Sequence, residues 1–597
     1  MEGLEVTVLI GLTILVGALL APRVRLALPL VLVILGLALG FVPQLREIQL
    51  PPETVLLLFL PVMLFWESLT TSLRSIRRDF RYILPMSTLL VVASAFAVAG
   101  IGLLFGMPWE TALILGAAVA PPDATAVAAL GRLLPRRMFM KLKAESLTND
   151  GTALVLYAIA VSLALGGNVT PLSVTMSVLM SYLGGVAAGV IIAVLGYLLL
   201  RSSSSTAVIN VTLLLIPFSA FLLAEIVHAS GVLAVVVAGL IVAYVSPRVT
   251  TASSRRQADA AWPFGVFLLN GALFVLIGLE VQYVAHEISG AEIGRLVLIT
   301  LAVWAVLLVV RYVFQLLNVL QRQTGPRPAR GARARARAVS TVAGMRGAVS
   351  LAIALSVPAS AATGGEIAGR DEIVFVTAGV ILLSLLVQAP LLPAIVRWAR
   401  FPVDHVEAEE YELAERTISG AALSAIDDLA VEHGIGQEVR DRVRAEGYQM
   451  LEFSNAKALA REQAIVDAEA KALDDLLDEP DPLGAAGTAG ASTIGGGDAG
   501  SAASPGRELT DDDGSAAEGE VRTLQMIATS TDVDVMQRSP LLRHEEHTRL
   551  KLALLERKRE VLLGLRRSGT VDDLVVRRIS ARLDLEQVRL QGIEEFD

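Results

Sequence analysis

The chain contains no cysteine. That excludes disulfides, thiolate nucleophiles and thiol-bound metals, and it says nothing about compartment. Histidine is scarce as well: the six residues are scattered, and no cluster of side chains has metal-ligand spacing. There is no phosphate-cradling Gly-x-x-x-x-Gly-Lys loop and no dinucleotide glycine fingerprint. Charged residues make up only 18% of the 597 positions and aromatics only 5%. The first apolar stretch lacks the basic leader of a cleaved signal, because Met1 to Glu5 is acidic, so it reads as a retained span. Nothing in this inventory points to an enzyme or to a bound cofactor.

What the chain has in abundance is apolar surface. Hydrophobic residues make up 54%, and the mean hydropathy of +0.61 is too high for a soluble protein of this length. The apolar residues concentrate before about residue 400. Charge divides at the same place. Residues 1–400 hold 28 Lys/Arg against 18 Asp/Glu, and residues 401–597 hold 22 against 41. The basic residues cluster in connections between apolar runs, which argues against nucleic acid as a partner. The chain therefore reads as a membrane domain over 1–400 followed by an acidic, water-facing tail.

A spanning helix needs roughly 17–25 mostly apolar residues. Thirteen such stretches are predicted, near 4–21, 26–42, 54–70, 83–105, 110–131, 145–165, 171–200, 206–228, 231–246, 261–284, 292–320, 338–361 and 372–396. The weakest division is the one after His228. Alternate connections are basic: Arg23/Arg25, Arg74/Arg77/Arg78/Arg81, Arg132 to Lys143, Arg201, Arg248/Arg255/Arg256, and the run from Arg322 to Arg337. The intervening ones are mostly acidic or neutral. By the positive-inside rule the N-terminus is outside and the tail cytoplasmic. The Arg322–Arg337 run reads as a topology signal beside anionic lipid. In the tail, 401–483 reads as helical, 484–520 as a flexible acidic, Gly-rich linker, and 521–597 as helical again, with Leu550, Leu554, Val561 and Leu565 on one stripe. The tail suits regulation or assembly, through a ligand or protein that no motif in it names.

Two spans are interrupted. The fifth contains Ala120-Pro121-Pro122-Asp123-Ala124-Thr125. Consecutive prolines lack N–H groups and clash with the preceding turn, so the carbonyls of Ala117 and Ala118 lose their helical donors. The twelfth contains Gly344, Arg346 and Gly347. With the seventh span as a linker, spans 1–6 and 8–13 form two six-helix halves, and each break falls in the fifth span of its half. Broken helices at matched positions are the sequence sign of an inverted-repeat transport site. Backbone broken at membrane depth is tolerated only where it faces protein or a wet cavity. The fold expected is an all-α membrane protein of about 13 transmembrane helices, with two inverted six-helix repeats, broken helices 5 and 12, and a helical or disordered cytoplasmic tail.

The sixth span opens with Glu145-Ser146-Leu147-Thr148-Asn149-Asp150. On a helix Glu145 stacks on Asn149, and Ser146 on Asp150. Ionisable groups at membrane depth are costly and usually functional. Asp150, Asp123, Ser146 and carbonyls near Ala120–Pro122 are hard oxygen donors suited to Na⁺, and Asp150 can take a proton when the cation leaves. Competition of two cations for one carboxylate is a physical basis for exchange. Arg346 needs a buried partner, and Glu145 is the structural partner favoured for it. Glu67, Glu225 and Glu280 are acids of lower rank, each near a span boundary.

Together these segments resemble the NhaP/NHE-type branch of the cation:proton antiporter superfamily over most of residues 1–400. Ala120 to Ala124 resembles that branch's unwound fifth-helix motif, Glu145 to Asp150 its Glu-x-x-x-Asn-Asp signature, and Gly344 to Ser350 its arginine-bearing segment. The resemblance implies a homodimer with core and dimerisation domains. It implies Asp150 as the shared cation and proton carboxylate with Asp123 and Ser146 beside it, and a Glu145–Arg346 bridge. Asn149 stands where electrogenic relatives carry a second aspartate, which implies one-for-one, electroneutral exchange. Pro122 stands where several relatives carry threonine, which leaves the Pro122 carbonyl and nearby Thr125 as donors. The expected function is a secondary antiporter exchanging Na⁺ (or Li⁺ or K⁺) for H⁺ across a prokaryotic cytoplasmic membrane, serving sodium transport and pH homeostasis, with no cofactor beyond the transported ions. The alternatives are a cation channel, which would conduct without stoichiometric coupling, and a non-transporting sensor, which would lose its output when 401–597 is deleted.

Overall fold

A computed structural model describes residues 2–24, 26–42, 55–123, 134–166, 170–287, 290–317, 330–358, 369–401, 406–477 and 540–592. The chain forms two compact units. One is Met1–Tyr411 together with Leu562–Asp597; the other is Glu412–Val561. The linker expected over 484–520 lies outside the described residues.

The described residues of the first unit hold helices and no strands. Helices α1 (Glu2–Val24) and α2 (Leu28–Leu39) open the chain, and a π-turn at Val55–Phe59 leads into α3 (Leu60–Leu69). Helix α4 (Leu73–Ser87) begins where the Ser72 hydroxyl accepts from the Ser75 N–H at 3.1 Å, as N-caps do. It continues into α5 (Leu89–Leu104) through a break at Thr88, three residues after Pro85. The expected span at 83–105 is thus the apolar half of a longer bent rod whose first turns carry Arg74, Arg77, Arg78 and Arg81. Helix α6 (Trp109–Val119) stops one residue before the two prolines, as Pro sterics require.

Helices α7 (Arg136–Ala164), α8 (Pro171–Ser202), α9 (Thr206–Ile226), α10 (Gly231–Val249), α11 (Ala252–Glu287) and α12 (Gly290–Leu317) follow. The division after His228 is a real turn, with His228 at positive φ and Ser230 capping α10. Helices α13 (Arg330–Val342) and α14 (Ala348–Leu355) are the two halves of the interrupted twelfth stretch. Helix α15 (Arg370–Leu383) passes through a π-turn at Ser384–Gln388 into α16 (Ala389–Ala399). Among the described residues nine helices or continuous helix pairs are long and apolar enough to cross a membrane, and Leu28–Leu39, Leu57–Leu69 and Trp109–Val119 are shorter apolar helices. The protein is an all-α, multi-pass membrane protein.

Packing divides these helices into two groups. α1–α3 and α8–α11 pack mostly on one another, as do α4–α7 and α12–α16, and the groups meet mainly along α7, α11 and α15. The partners repeat. α2 lies on α11 as α10 lies on α3, α1 on α2 as α9 on α10, and α6 on α7 as α13–α14 on α15–α16. Each pairing recurs with both helices replaced by the ones seven spans away in order. That odd offset reverses direction across a membrane, which is the signature of an inverted repeat. The α2–α11 crossing is made close by Gly36 and Gly278, where an added Cβ would run into the backbone of Val275 and Val33 respectively.

The second unit holds α17 (Val406–Ser424, from Glu412 onward), α18 (Ile426–Glu432), α19 (Gln437–Leu477) and α20 (Pro540–Ser568) as far as Val561. Its small core combines Ile426, Val439 and Val443 with Leu550 and Leu554 of the stripe noted above. A last helix, α21 (Asp573–Gln591), belongs to the first unit.

Candidate functional site

The two interruptions cross each other. After α6 the chain leaves helical geometry over Ala120–Asp123, and after α13 it does so over Ala343–Gly347. The Asp123 N–H donates to the Met345 carbonyl at 2.7 Å, which ties one interruption to the other. Gly347 has no side chain because Asp123 occupies its place: a Cβ there would run into the Asp123 carboxylate. Asp123 is thereby held at the start of α14.

Arg346 closes the end of α6. Its Nε donates to the Val119 carbonyl at 3.0 Å, its Nη2 to the Ala120 carbonyl at 3.3 Å, and its Nη1 to the Gly344 carbonyl. The carbonyls left without helical donors at a helix C-terminus carry partial negative charge, and a guanidinium there is favourable. Two of the carbonyls near the proline break are therefore engaged by an arginine.

Helix α7 presents a buried polar face: Glu145, Ser146, Asn149, Asp150 and Thr152 are all buried. The Asn149 Nδ2 donates to the Pro122 carbonyl at 2.9 Å, joining α7 to the first break, while its Oδ1 meets no donor among the described residues. The Thr152 hydroxyl donates to the Ser87 carbonyl at 2.8 Å, at the bend between α4 and α5. Asp150 lies one turn beyond Ser146. Its charged neighbours are Asp123 and Glu67, and Glu67 in turn faces Asp123 and Lys143. Lys143 donates to the Thr70 hydroxyl at 2.6 Å, at the end of α3. Three carboxyl groups from three elements thus act on one another inside the membrane domain. Lys143 offsets part of this charge at Glu67, and a proton or a metal ion taken up among the carboxyl groups would offset more.

The expected Glu145–Arg346 bridge is not formed. Glu145 pairs with Arg311 of α12 through two parallel bonds, Nη1 to Oε1 at 2.5 Å and Nη2 to Oε2 at 3.1 Å, and both side chains are almost wholly buried. Arg311 Nε donates to the Ser340 carbonyl at 3.0 Å. Gly344 makes room for it, since a Cβ there would meet Arg311 Nε at 2.7 Å. The reason for the difference is geometric. Arg346 already spends its donors on carbonyls of the two breaks, and only Arg311 offers Glu145 a planar fork. Arg311 was not singled out from the sequence. Its signal is the lone charge in Leu307-Leu308-Val309-Val310-Arg311-Tyr312-Val313.

Asp123, Asp150, Ser146, Asn149 and Pro122 are thus brought to one place, and Glu67 joins them. Glu280 lies elsewhere, with Arg370 and Asp371 as its charged neighbours, and Glu225 faces His228. Thr125 lies outside the described residues.

Comparison with known proteins gives a consistent result. The family described as "Sodium/hydrogen exchanger, transmembrane" matches residues 10–398. An uncharacterized Na(+)/H(+) exchanger of Mycobacterium tuberculosis is 36% identical over 595 residues, covering 98% of this chain and 96% of that protein. The low-affinity Na(+)/H(+) antiporter NhaS1 of Synechocystis is 29% identical over 473 residues, 75% of this chain and 87% of the relative. A sodium, potassium, lithium and rubidium/H(+) antiporter of Bacillus pumilus is 30% identical over 390 residues, 61% of this chain and 57% of that protein.

Proposed function

The chain belongs to the sodium/hydrogen exchanger family, and from that premise we propose that it exchanges Na⁺ for H⁺ at Asp150. It is a membrane transporter, not an enzyme, and the family's activity is cation:proton antiport. The observation that carries the finer reading is the carboxyl cluster of Asp150, Asp123 and Glu67 beside the crossing of two broken helices. Na⁺ takes hard oxygen donors. Asp150 and Asp123 supply the charge, with Ser146 and the Pro122 carbonyl as neutral donors. Asn149 orients the Pro122 carbonyl and contributes its amide oxygen, and Thr125 is a further candidate by sequence.

Proton and metal ion compete for Asp150, so each release of one admits the other. A single competing carboxylate, with Asn149 neutral beside it, makes the exchange one-for-one and electroneutral. Glu145 and Arg311 take no part in transport and hold α7 to α12. Arg346 fixes the ends of the two breaks. Access alternates by motion of the α4–α7 and α12–α16 group against the α1–α3 and α8–α11 group. Two copies of the chain associate through the latter, a reading supported by the apolar outer face of α8, where Leu172, Met176 and Leu183 are exposed. The basic connections face the cytoplasm of a prokaryotic cell.

The test is cation-driven proton flux in proteoliposomes, with Na⁺, Li⁺ and K⁺ compared because the Bacillus pumilus relative's name covers all of them. Asp150→Asn abolishes flux for every cation while the protein still folds. Flux retained by that variant, or single-channel currents from the wild type, would overturn the assignment.

A further inference from the structure

Three carboxyl groups inside a membrane domain attract a divalent cation more strongly than Na⁺. Asp150, Asp123 and Glu67 act on one another, and Coulomb attraction to them doubles with the charge of the ion. Hard dications also favour carboxylates combined with carbonyl oxygens. Among the described residues no three acidic or histidine side chains converge as a metal-binding set, so what draws a dication here is the field of the cluster. Exchange of monovalent ions calls for something that weakens this field beside the site.

Lys143 is placed to do this. Lys143, Ser146 and Asp150 follow one another on α7 at i, i+3 and i+7, so they share one face of the helix. Helical rise sets Lys143 about 10 Å from Asp150 along the axis, toward the end of α7 that carries Arg136, Arg137 and Lys141. Its ammonium is anchored. Lys143 Nζ donates to the Thr70 hydroxyl at 2.6 Å, and that hydroxyl donates to the Trp66 carbonyl at 2.8 Å. Thr70 caps α3 one turn after Glu67, and a helix C-terminus favours a cation. The acidic neighbour of Lys143 is Glu67. A second cation stands at the same end of α3, where Arg577 of α21 donates to the Leu69 carbonyl. The acidic neighbours of Arg577 are Asp259 and Asp573. Helix α21 is seated there by Asp584, which accepts from Arg255 of α11 at 2.7 Å and 2.6 Å. Of these two cations, Lys143 is the one whose field falls on the carboxyl cluster.

We propose that Lys143 is a specificity-determining residue that keeps divalent cations out of the Asp150 site. The proposal rests on the reading of Asp150 as the exchange site and supplies a reason for its monovalent selectivity. The lysine is a resident positive charge that subtracts from the field of the three carboxyl groups. It repels a dication twice as strongly as it repels Na⁺ or a proton. For one charge at about 10 Å, at the effective dielectric of protein sites, its loss favours a dication over a monovalent ion on the order of tenfold. Lys143 carries no ion itself and acts only through its charge.

The experiment reads Na⁺-driven proton flux in proteoliposomes at neutral pH, with Ca²⁺ or Mg²⁺ added as inhibitor. The full-length proteins are wild type, Lys143→Met, Lys143→Arg, Arg577→Met, and Lys143→Met combined with Glu67→Gln. The quantity compared is the divalent inhibition constant divided by the KM for Na⁺. In Lys143→Met both constants fall, the divalent one further, and the ratio drops roughly tenfold. Lys143→Arg and Arg577→Met keep the wild-type ratio. The double variant, which removes a carboxylate with the ammonium, returns the ratio toward wild type. Thermal unfolding gives a reading that needs no transport: Ca²⁺ stabilises Lys143→Met at concentrations that leave wild type unmoved. Should Lys143→Met fail to fold, Thr70→Val, which unseats the ammonium and removes no charge, lowers the ratio by less, and an unchanged ratio there counts against the proposal. An unchanged ratio and Ca²⁺ response in Lys143→Met overturn the proposal and leave antiport standing. An equal drop in Arg577→Met overturns the assignment to Lys143. Absence of Na⁺-driven flux in wild type overturns the antiport reading, and the selectivity role with it.

Discussion

Replacing Arg311 by methionine leaves the Glu145 carboxylate charged in a place from which water is excluded. Glu145 is 0% exposed and Arg311 1%, and the pair is joined by two bonds, with a third from Arg311 to the Ser340 carbonyl. Removing one member of a buried pair costs about 3–5 kcal/mol, because the remaining charge keeps its desolvation penalty and loses its compensation. Replacing both, as Arg311→Met with Glu145→Gln, removes the charge as well and leaves similar volume. The double variant should therefore recover most of the loss, giving a coupling of about 2–3 kcal/mol. Reversible unfolding in mixed micelles supplies the free energies for wild type, both singles and the double. A parallel cycle pairs Arg346→Met with Glu145→Gln. Arg346 holds three carbonyls rather than Glu145, so its loss should be large and close to additive. Additive energies for Arg311 with strong coupling for Arg346 would refute the pairing and restore the one expected from sequence.

Gly347→Ala forces the Asp123 carboxylate out of its position; exchange should fall roughly ten- to hundredfold, as for other small displacements of site groups, and unchanged flux would mean that Asp123 is not held where it matters. Gly36→Ala should destabilise the protein, because its Cβ meets the Val275 backbone, whereas Gly294→Ala in α12 meets open space and should stabilise by up to about 1 kcal/mol through helix propensity; melting temperatures moving in the same direction would count against the close α2–α11 crossing. The second unit should loosen in acid. Glu446 is held below its usual range chiefly by the bond from Lys551 at 2.8 Å, and His547 is held below its usual value by burial and then by Lys551. A depressed value in the fold means that the unfolded chain binds the proton better, so stability is complete above the unfolded values. It is lost first as pH falls below 6.5, for His547, and further below 4.5, for Glu446. Deuterium uptake by α19 and α20, corrected for intrinsic rates, should rise on acidification, and constant uptake would contradict the assignment.

The membrane architecture was legible because it follows from two crude forces. Apolar length sets the spans, and loop charge sets their order. The breaks were legible because Pro121 and Pro122 lack donors whatever surrounds them, and Gly344 and Gly347 stood beside a charge. The buried face of α7 followed from helical periodicity alone. Partnership was harder. Glu145 and Arg346 were the two conspicuous charges, and pairing them was the simplest account, but a guanidinium chooses among all acceptors in reach. The proline break created carbonyl acceptors closer to Arg346. Arg311, near the basic end of its span, reads in sequence like an interface anchor. Only the absence of a side chain at Gly344, some thirty residues away, opens the path to Glu145. The seating of α21 had no sequence signal, because single charges such as Asp584 and Arg255 lie 329 positions apart and have no pattern to link them.

The most direct test of shared occupancy at Asp150 is the apparent KM for Na⁺ in wild-type proteoliposomes at a series of pH values. If proton and Na⁺ compete for one carboxylate, KM rises toward tenfold for each unit of acidification in the acid range while the maximal rate stays nearly constant. A KM indifferent to pH, with the maximal rate alone changing, would show that the two ions do not share Asp150.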